Sequence, residues 1–359
     1  MANSYGLIGL MSGTSMDGVD VAYTRFTQSE ENSWTHEVKA VKTYAYPEKL
    51  LKVLKDSTRF SAIELNILDK HLGIFFGHLL NQFVDDHHLD KNEIDAIASH
   101  GHTIFHQPEK GFTLQIGCGS NIAAITQLKV INDFRSKDVI HGGQGAPLAP
   151  IGDTMLFADQ ANAFLNIGGF ANVCINTHPV VAFDIGPGNL PLNEYCQEFF
   201  KTPYDKDGEF ARSGRLNERM FDILNDLDYY AKEAPKSLGT EWLNDNFLSL
   251  IKSYANENPR DVLHTMTRHI AHQIARALNE NTAKTVMVTG GGAKNKFLME
   301  LIREEFRGEI IIPSDELIDF KEAIIFGFLG ALYLAGEPNN IPSVTGAKNA
   351  VRGGVLHTP

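Results

Sequence analysis

The chain has 359 residues, more than a single core ordinarily holds, so about two domains are expected. With 43% hydrophobic and 21% charged residues it can bury cores without disulfides or metal, which argues against disorder. A formal charge of -12 removes DNA and RNA as default partners, since phosphate backbones are held by clustered Lys and Arg, and three widely spaced cysteines without a CxxC argue against a disulfide framework or a zinc site.

The first ten residues, MANSYGLIGL, lack the basic start and continuous apolar stretch of a secretory signal, and no run of eighteen apolar residues occurs. The expectation is a cytoplasmic protein without a membrane partner. Strand-like residues 5–10 (YGLIGL) and 19–26 (VDVAYTRF) flank a turn rich in Gly, Ser and Thr, which predicts a β-hairpin. Between 63 and 83, Leu68, Leu72, Phe75, Phe76, Leu79 and Phe83 recur three or four apart, the spacing of an amphipathic helix. Residues 94–99 and 112–117 read as buried strands. The stretch 134–150, FRSKDVIHGGQGAPLAP, is broken by Gly and Pro and is the candidate domain junction.

A second strand, loop, strand series follows at 163–169, 171–176 and 180–186, so the opening pattern occurs twice without a fixed-period repeat. Val262, Met266, Ile270, Ile274 and Leu278 fall four apart and predict a helix over 261–280. Residues 285–302 run from a buried strand through three glycines into a helix, and a last helix is expected over 321–335.

Four constellations have chemical potential. In MSGTSMDGVD (11–20), Gly13 and Gly18 free the backbone, Ser12, Thr14 and Ser15 offer hydroxyls, and Asp17 or Asp20 can hold Mg²⁺ through water. A tight hairpin whose glycines serve only the turn explains the same residues. TGGGAKN (289–295) permits close approach of a ligand at a helix start, or is a plain β-to-α turn. Neither is a Walker A loop, and no GxGxxG is present. In FDIGPGN (183–189), Asp184 ends a buried strand, where partial burial can raise a general base toward its working range, or where Asp simply caps a turn. Arg135 precedes a glycine turn and suits bidentate capture of a carboxylate, unless it is a surface cation beside a linker. His100 and His102 share a strand face but lack an evident third ligand, so contact or packing is favoured over metal.

The ordered set GLMSGTSMDGVD, HGHTIFHQP, DFRSKDVIHGGQGAPL, FLNIGGFANV, FDIGPGN, YDKDGEFARSG, PKSLG, TGGGAKN and PSVTGA resembles the anhydro-N-acetylmuramic acid kinase family, from about residue 5 to 355. The resemblance implies a two-lobed α/β fold of the hexokinase, actin and Hsp70 class, ribonuclease H-like, each lobe a mixed five-stranded sheet with helices and ATP in the cleft. The lobes would be 1–134 and 135–359, with the junction at about 134–160 and the C-terminal tail packing back on the first lobe. ATP phosphates would meet Gly13, Thr14, Ser15, Met16, Asp17, Gly18, Val19 and Asp20, with further ATP contacts at Gly168, Gly169, Gly290, Gly291, Gly292 and Lys294.

The implied reaction joins hydrolysis to phosphorylation in cell-wall recycling. Water opens the 1,6-anhydro bridge of anhydro-N-acetylmuramate while O6 takes the γ-phosphate, giving N-acetylmuramate 6-phosphate and ADP. Asp184 would activate the water; Arg135, Glu322 and Asn189 would contact the sugar; Asp17 and Asp20 would serve Mg²⁺; and the protein would be a homodimer. This chain departs from the family's usual Gln at His102 and usual Asp at Cys118, which bears on local contacts and pH dependence. Two alternatives share the phosphate loops: another small-sugar or acid kinase of the superfamily, and a non-catalytic nucleotide-gated binding protein.

Overall fold

The structure is a computed structural model describing residues 3–13 and 16–359. The chain divides into two compact units, Met1–Leu156 with Phe320–Pro359, and Phe157–Asp319.

The first unit is built on β1 (Asn3–Ser12), β2 (Val19–Gln28), β3 (Trp34–Tyr44), β4 (Ala96–Gln107), β5 (Phe112–Ile116), β6 (Val130–Asn132) and β12 (Val355–His357). Its sheet order is β12-β6-β4-β1-β2-β3, with β5 paired to β4. The pairs β1/β2 and β2/β3 are antiparallel, whereas β1/β4 and β4/β6 are parallel. The expected hairpin is therefore present, and the five-stranded core is widened by β5 and β12.

The helix Ala62–Asp86 begins at a capping box, in which the Ser61 hydroxyl and the Glu64 carboxylate each take the other's backbone N–H. Leu68, Leu72, Phe76, Leu79 and Phe83 are buried from it, as the spacing predicts, whereas Phe75 is only partly so. At roughly 1.5–3 kcal/mol for each fully buried large apolar side chain, this one stripe outweighs any single polar contact in the unit.

The last long helix runs Asp315–Ala335, beginning six residues before the expected start. It packs on β1 because Gly9 has no side chain; a Cβ there would overlap the Ala323 carbonyl oxygen. The helix thereby carries Glu322 to the first sheet. Residues 135–156, which a break at 134 assigns to the second lobe, and the tail 320–359 cluster with the first unit. Asp138 shows why: its carboxylate accepts from Gly145 N (2.7 Å), Asn340 Nδ2 (2.6 Å) and Thr345 Oγ1 (2.7 Å), tying the 136–145 stretch to the tail.

The second unit contains β7 (Ala163–Ile167), β8 (Phe170–Ile175), β9 (Val181–Pro187), β10 (Thr285–Thr289) and β11 (Glu309–Ile311), in the order β11-β10-β7-β8-β9. Its first two pairings are antiparallel and its β7/β10 and β10/β11 pairings parallel. Each unit thus has three antiparallel strands followed by two parallel ones on the far side of the first. This is the ribonuclease H-like order, built twice. The helix Pro259–Glu280, with Asn258 as its cap and Pro259 in its first turn, buries Val262, Met266, Ile270, Ile274 and Leu278 at 0–1% exposure, the five positions its period singled out.

Candidate active site

In the first unit, the hairpin register sets Met11 opposite Asp20 and Ser12 opposite Val19. The turn closes through Met16 N donating to Gly13 O (3.2 Å), with Met16 at φ 58°. The left-handed conformation anticipated at the glycines thus falls on Met16, and Gly18 is needed for space: a Cβ there would lie 2.6 Å from Thr43 Cγ2. Val19 is buried in the hairpin core, Asp17 is exposed, and Asp20 accepts from the Thr43 hydroxyl at 2.5 Å. Thr14 and Ser15 lie outside the described residues.

Ser12, fully buried at the start of this turn, has two partners that sequence patterns did not expose. A bulge in the β1/β4 register places it opposite His102, whose Nδ1 is 2.8 Å from its Oγ, and the Tyr46 hydroxyl bonds the same oxygen. Burial lowers the His102 imidazole and pushes the Tyr46 phenol up to about 12, so both are neutral near pH 7. Cys118 stands away from this network, at the N-cap of the helix Gly119–Thr126, with Lys70 Nζ 3.2 Å from its sulfur.

Arg135 is half-buried and tightly held. Its Nε (3.1 Å) and Nη2 (3.0 Å) meet His100 Nε2, and Nη1 donates to the Gly145 carbonyl at 2.7 Å. Burial lowers its guanidinium to about 10, against the favourable fields of Glu322 and Asp138, and it remains cationic at neutral pH. Glu322 is an exposed residue whose carboxyl is crowded by neighbouring protein groups. Lost hydration raises it, and Arg135 offsets only part of that rise. Beside it, Lys321 pairs with Asp153 at 2.5 Å, both side chains being less than a tenth exposed.

In the second unit, the β7–β8 turn carries Gly168 and Gly169, and the chain after β9 folds onto it. Gly188 N donates to Gly169 O (2.9 Å), Asn189 N to Gly168 O (2.8 Å) and Asn189 Nδ2 to Ile167 O (3.0 Å). A third glycine segment arrives from β10. Gly290 adopts φ 81°, and its missing Cβ leaves room for the Ile167 carbonyl, while Gly292 lies against the Ile167 side chain. Gly168, Gly169, Asn189, Gly290, Gly291 and Gly292, scattered over more than a hundred residues, thus gather around the end of β7. Lys294 is exposed and bidentate with Asp319, at 2.7 and 2.9 Å. The helix Lys296–Glu305 does not offer a bare N-terminus, because Asn295 Oδ1 accepts from Leu298 N at 3.1 Å.

Asp184 lies inside β9 rather than at its end. A bulge opposite Ala171 and Asn172 leaves Ile185 without a cross-strand partner and re-aims the neighbouring side chain. The segment 235–239 straps this position. Asp184 N donates to Lys236 O (3.0 Å), Leu238 N donates to Asp184 Oδ2 (2.9 Å), and the Tyr229 hydroxyl donates to the Asp184 carbonyl (2.6 Å). Only Oδ2 is tied; Oδ1 makes no hydrogen bond among the described residues. Burial raises the carboxyl above its usual range, partly opposed by the Leu238 N–H. The strap is the PKSLG run of the ordered motif set, whose composition names no contact with Asp184.

The family model described as anhydro-N-acetylmuramic acid kinase matches residues 5–359. Proteins of that name from Francisella tularensis subsp. novicida and Shewanella denitrificans are each 38% identical to this chain, over 96% and 97% of both partners respectively. Another from Vibrio vulnificus is 35% identical over 98% of both.

Proposed function

This chain belongs to the anhydro-N-acetylmuramic acid kinase family, and from that premise we propose that Asp184 is the base with which it opens the anhydro sugar as ATP phosphorylates it. Oδ1 of Asp184 takes a proton from water; the resulting hydroxide attacks C1; the C1–O6 bond breaks; and O6 bonds the γ-phosphorus as ADP leaves. The observation that carries this is the asymmetric carboxylate, one oxygen fixed by the Leu238 amide and the other free, in surroundings that raise its basicity. A base with one oxygen anchored spends little entropy finding its water.

The remaining roles follow residue by residue. The 13–20 turn takes the ATP phosphates, and Gly168, Gly169 and Gly290 to Gly292 give the nucleotide a side-chain-free approach. Arg135, Glu322 and Asn189 hold the sugar, with the Arg135 guanidinium meeting the lactyl carboxylate. Mg²⁺ fits this donor set as an ion that keeps most of its waters. Asp17 is exposed, Asp20 shares one oxygen with Thr43, and hard carboxylates of this kind hold Mg²⁺ beside phosphate oxygens. Bound there, the ion would neutralise developing phosphate charge. Among the described residues no three His, Cys, Asp or Glu side chains cluster as a metal site of their own. Lys294, exposed and paired with Asp319, adds a cation for the nucleotide. Family likeness supports a homodimer acting in the cytoplasm; among the described residues no helix is long and apolar enough to cross a membrane.

The test is ADP release with anhydro-N-acetylmuramate, N-acetylmuramate and N-acetylglucosamine as acceptors, with the first run in ¹⁸O water. Label at C1 of a 6-phosphorylated product is expected. Preference for the open sugars, or label absent from C1, would sink the reading.

A further inference from the structure

His100 takes no part in the chemistry assigned above, yet it is the main contact of Arg135. The residue is 6% exposed, and its Nδ1 lies 2.9 Å from the Gly101 carbonyl. A carbonyl only accepts, so Nδ1 bears the hydrogen and Nε2 is a bare acceptor. Onto that one nitrogen Arg135 directs both Nε–H and an Nη2–H. A guanidinium has five N–H donors. With a third given to Gly145 O, one donor remains on each of Nη1 and Nη2.

We infer that His100 is a positioning residue, whose Nε2 holds the side of the Arg135 guanidinium so that its two remaining donors meet a substrate carboxylate as a pair. The inference rests on the proposed function, which supplies that carboxylate as the lactyl group. Glu322 and Asp138 are the anions whose fields reach Arg135, and Asp138 is already committed to Gly145, Asn340 and Thr345. Without the imidazole, the guanidinium is free to turn toward Glu322 and quench itself.

The same geometry makes the arrangement sensitive to acid. A second proton on His100 would remove the acceptor and set a cation against Arg135. The groups facing the ring are Arg135, His102, the backbone of Gly101 and Ser12, and the apolar ring of Phe326 at 4.7 Å. None is an anion. Burial, then Arg135, hold the imidazole well below its ordinary range, so the change belongs to the acid limb.

Steady-state kinetics of the full chain, His100→Ala and His100→Gln, from about pH 8 down to the lowest pH at which each stays folded, test this. His100→Ala is expected to raise KM for anhydro-N-acetylmuramate about tenfold, with kcat and the KM for ATP each within about threefold of wild type. In His100→Gln the amide oxygen is an acceptor that does not titrate. That variant should recover most of the affinity and lose the acid-side rise in KM that wild type shows. An unchanged sugar KM in His100→Ala, a parallel rise in both KM values, or a His100→Gln profile that follows wild type would overturn the inference while the proposed function stands. Should His100→Ala fail to fold, the His100→Gln profile decides. Absence of sugar-dependent ADP release by wild type would overturn the proposed function and this inference together.

Discussion

The two units have one strand order and very different interiors. In the first, the candidate residues sit on a polar scaffold: Ser12 with His102 and Tyr46, Arg135 with His100, Asp138 with the tail, and Asp153 with Lys321. In the second, the helix Pro259–Glu280 and the sheet close a large apolar core that encloses one polar cluster, His269 with Tyr230 and Asn225, while Asp184 is held by the Leu238 N–H and the Tyr229 hydroxyl. The turns proposed for the nucleotide follow the first strand of each unit, whereas the other candidate groups do not correspond. The first unit adds Arg135 after β6 and Glu322 on its last long helix; the second adds a bulge in its third strand and the turn after its fourth. The duplicated order supplies a frame, and the side chains placed on it are independent in each copy.

The largest expected effect tests Asp184, the candidate base of the second unit. Asp184→Asn keeps the shape and can keep the Leu238 contact, but cannot take a proton. We expect kcat to fall by about a thousandfold with ATP affinity nearly unchanged, measured by turnover and nucleotide titration. Retention of more than about a tenth of kcat would remove the base assignment.

The polar interior of the first unit is probed by Lys321→Met, which strands the Asp153 carboxylate where burial already raises it against the pull of Lys321. A loss of about 3–5 kcal/mol in unfolding free energy is expected, and the double variant with Asp153→Leu should regain most of it. If the single variant cost under about 1 kcal/mol in denaturant titration, the polar interior would be incidental.

The most gradual effect concerns His269, a buried polar side chain of the second unit. It is fully buried between the Tyr230 hydroxyl (2.8 Å) and Asn225 Oδ1 (2.7 Å), and burial lowers it to about 3. The unfolded chain takes up this proton near pH 6.5 and the native state does not. Its contribution is therefore present above about pH 6.5 and is lost toward pH 3, by at most about 1.4 kcal/mol per pH unit. His269→Gln should flatten that slope in denaturant titrations at successive pH values; an unaltered slope would show the imidazole is not the titrating group.

Much of this was legible without coordinates, wherever a period or a motif carried it. The helices observed as Ala62–Asp86 and Pro259–Glu280 were drawn from apolar spacing, since an amphipathic helix must repeat its buried face. The turn at 11–20 and the glycines at 290–292 were visible by composition. Strand β3 carries no legible strand signal, although its burial alternates at several positions, because residues 34–44 mix charged and polar side chains through the run. Strands β6, β11 and β12 are only three residues long, too short for a period. At the site, Asp184 and Arg135 stood out as charges beside glycine turns. Leu238 did not, because it acts through a backbone N–H that every residue but proline has.

The sequence by itself determined the family, the α/β class, the doubled strand, loop, strand plan and the residue types available for chemistry. Each of these is written in local pattern or in ordered motifs. Only the tertiary structure decided what those residues touch. It closed a distance of ninety residues between Ser12 and His102 and put Leu238 on one oxygen of Asp184. Those pairings depend on register, bulges and the space that missing side chains leave, and no local run of sequence encodes them.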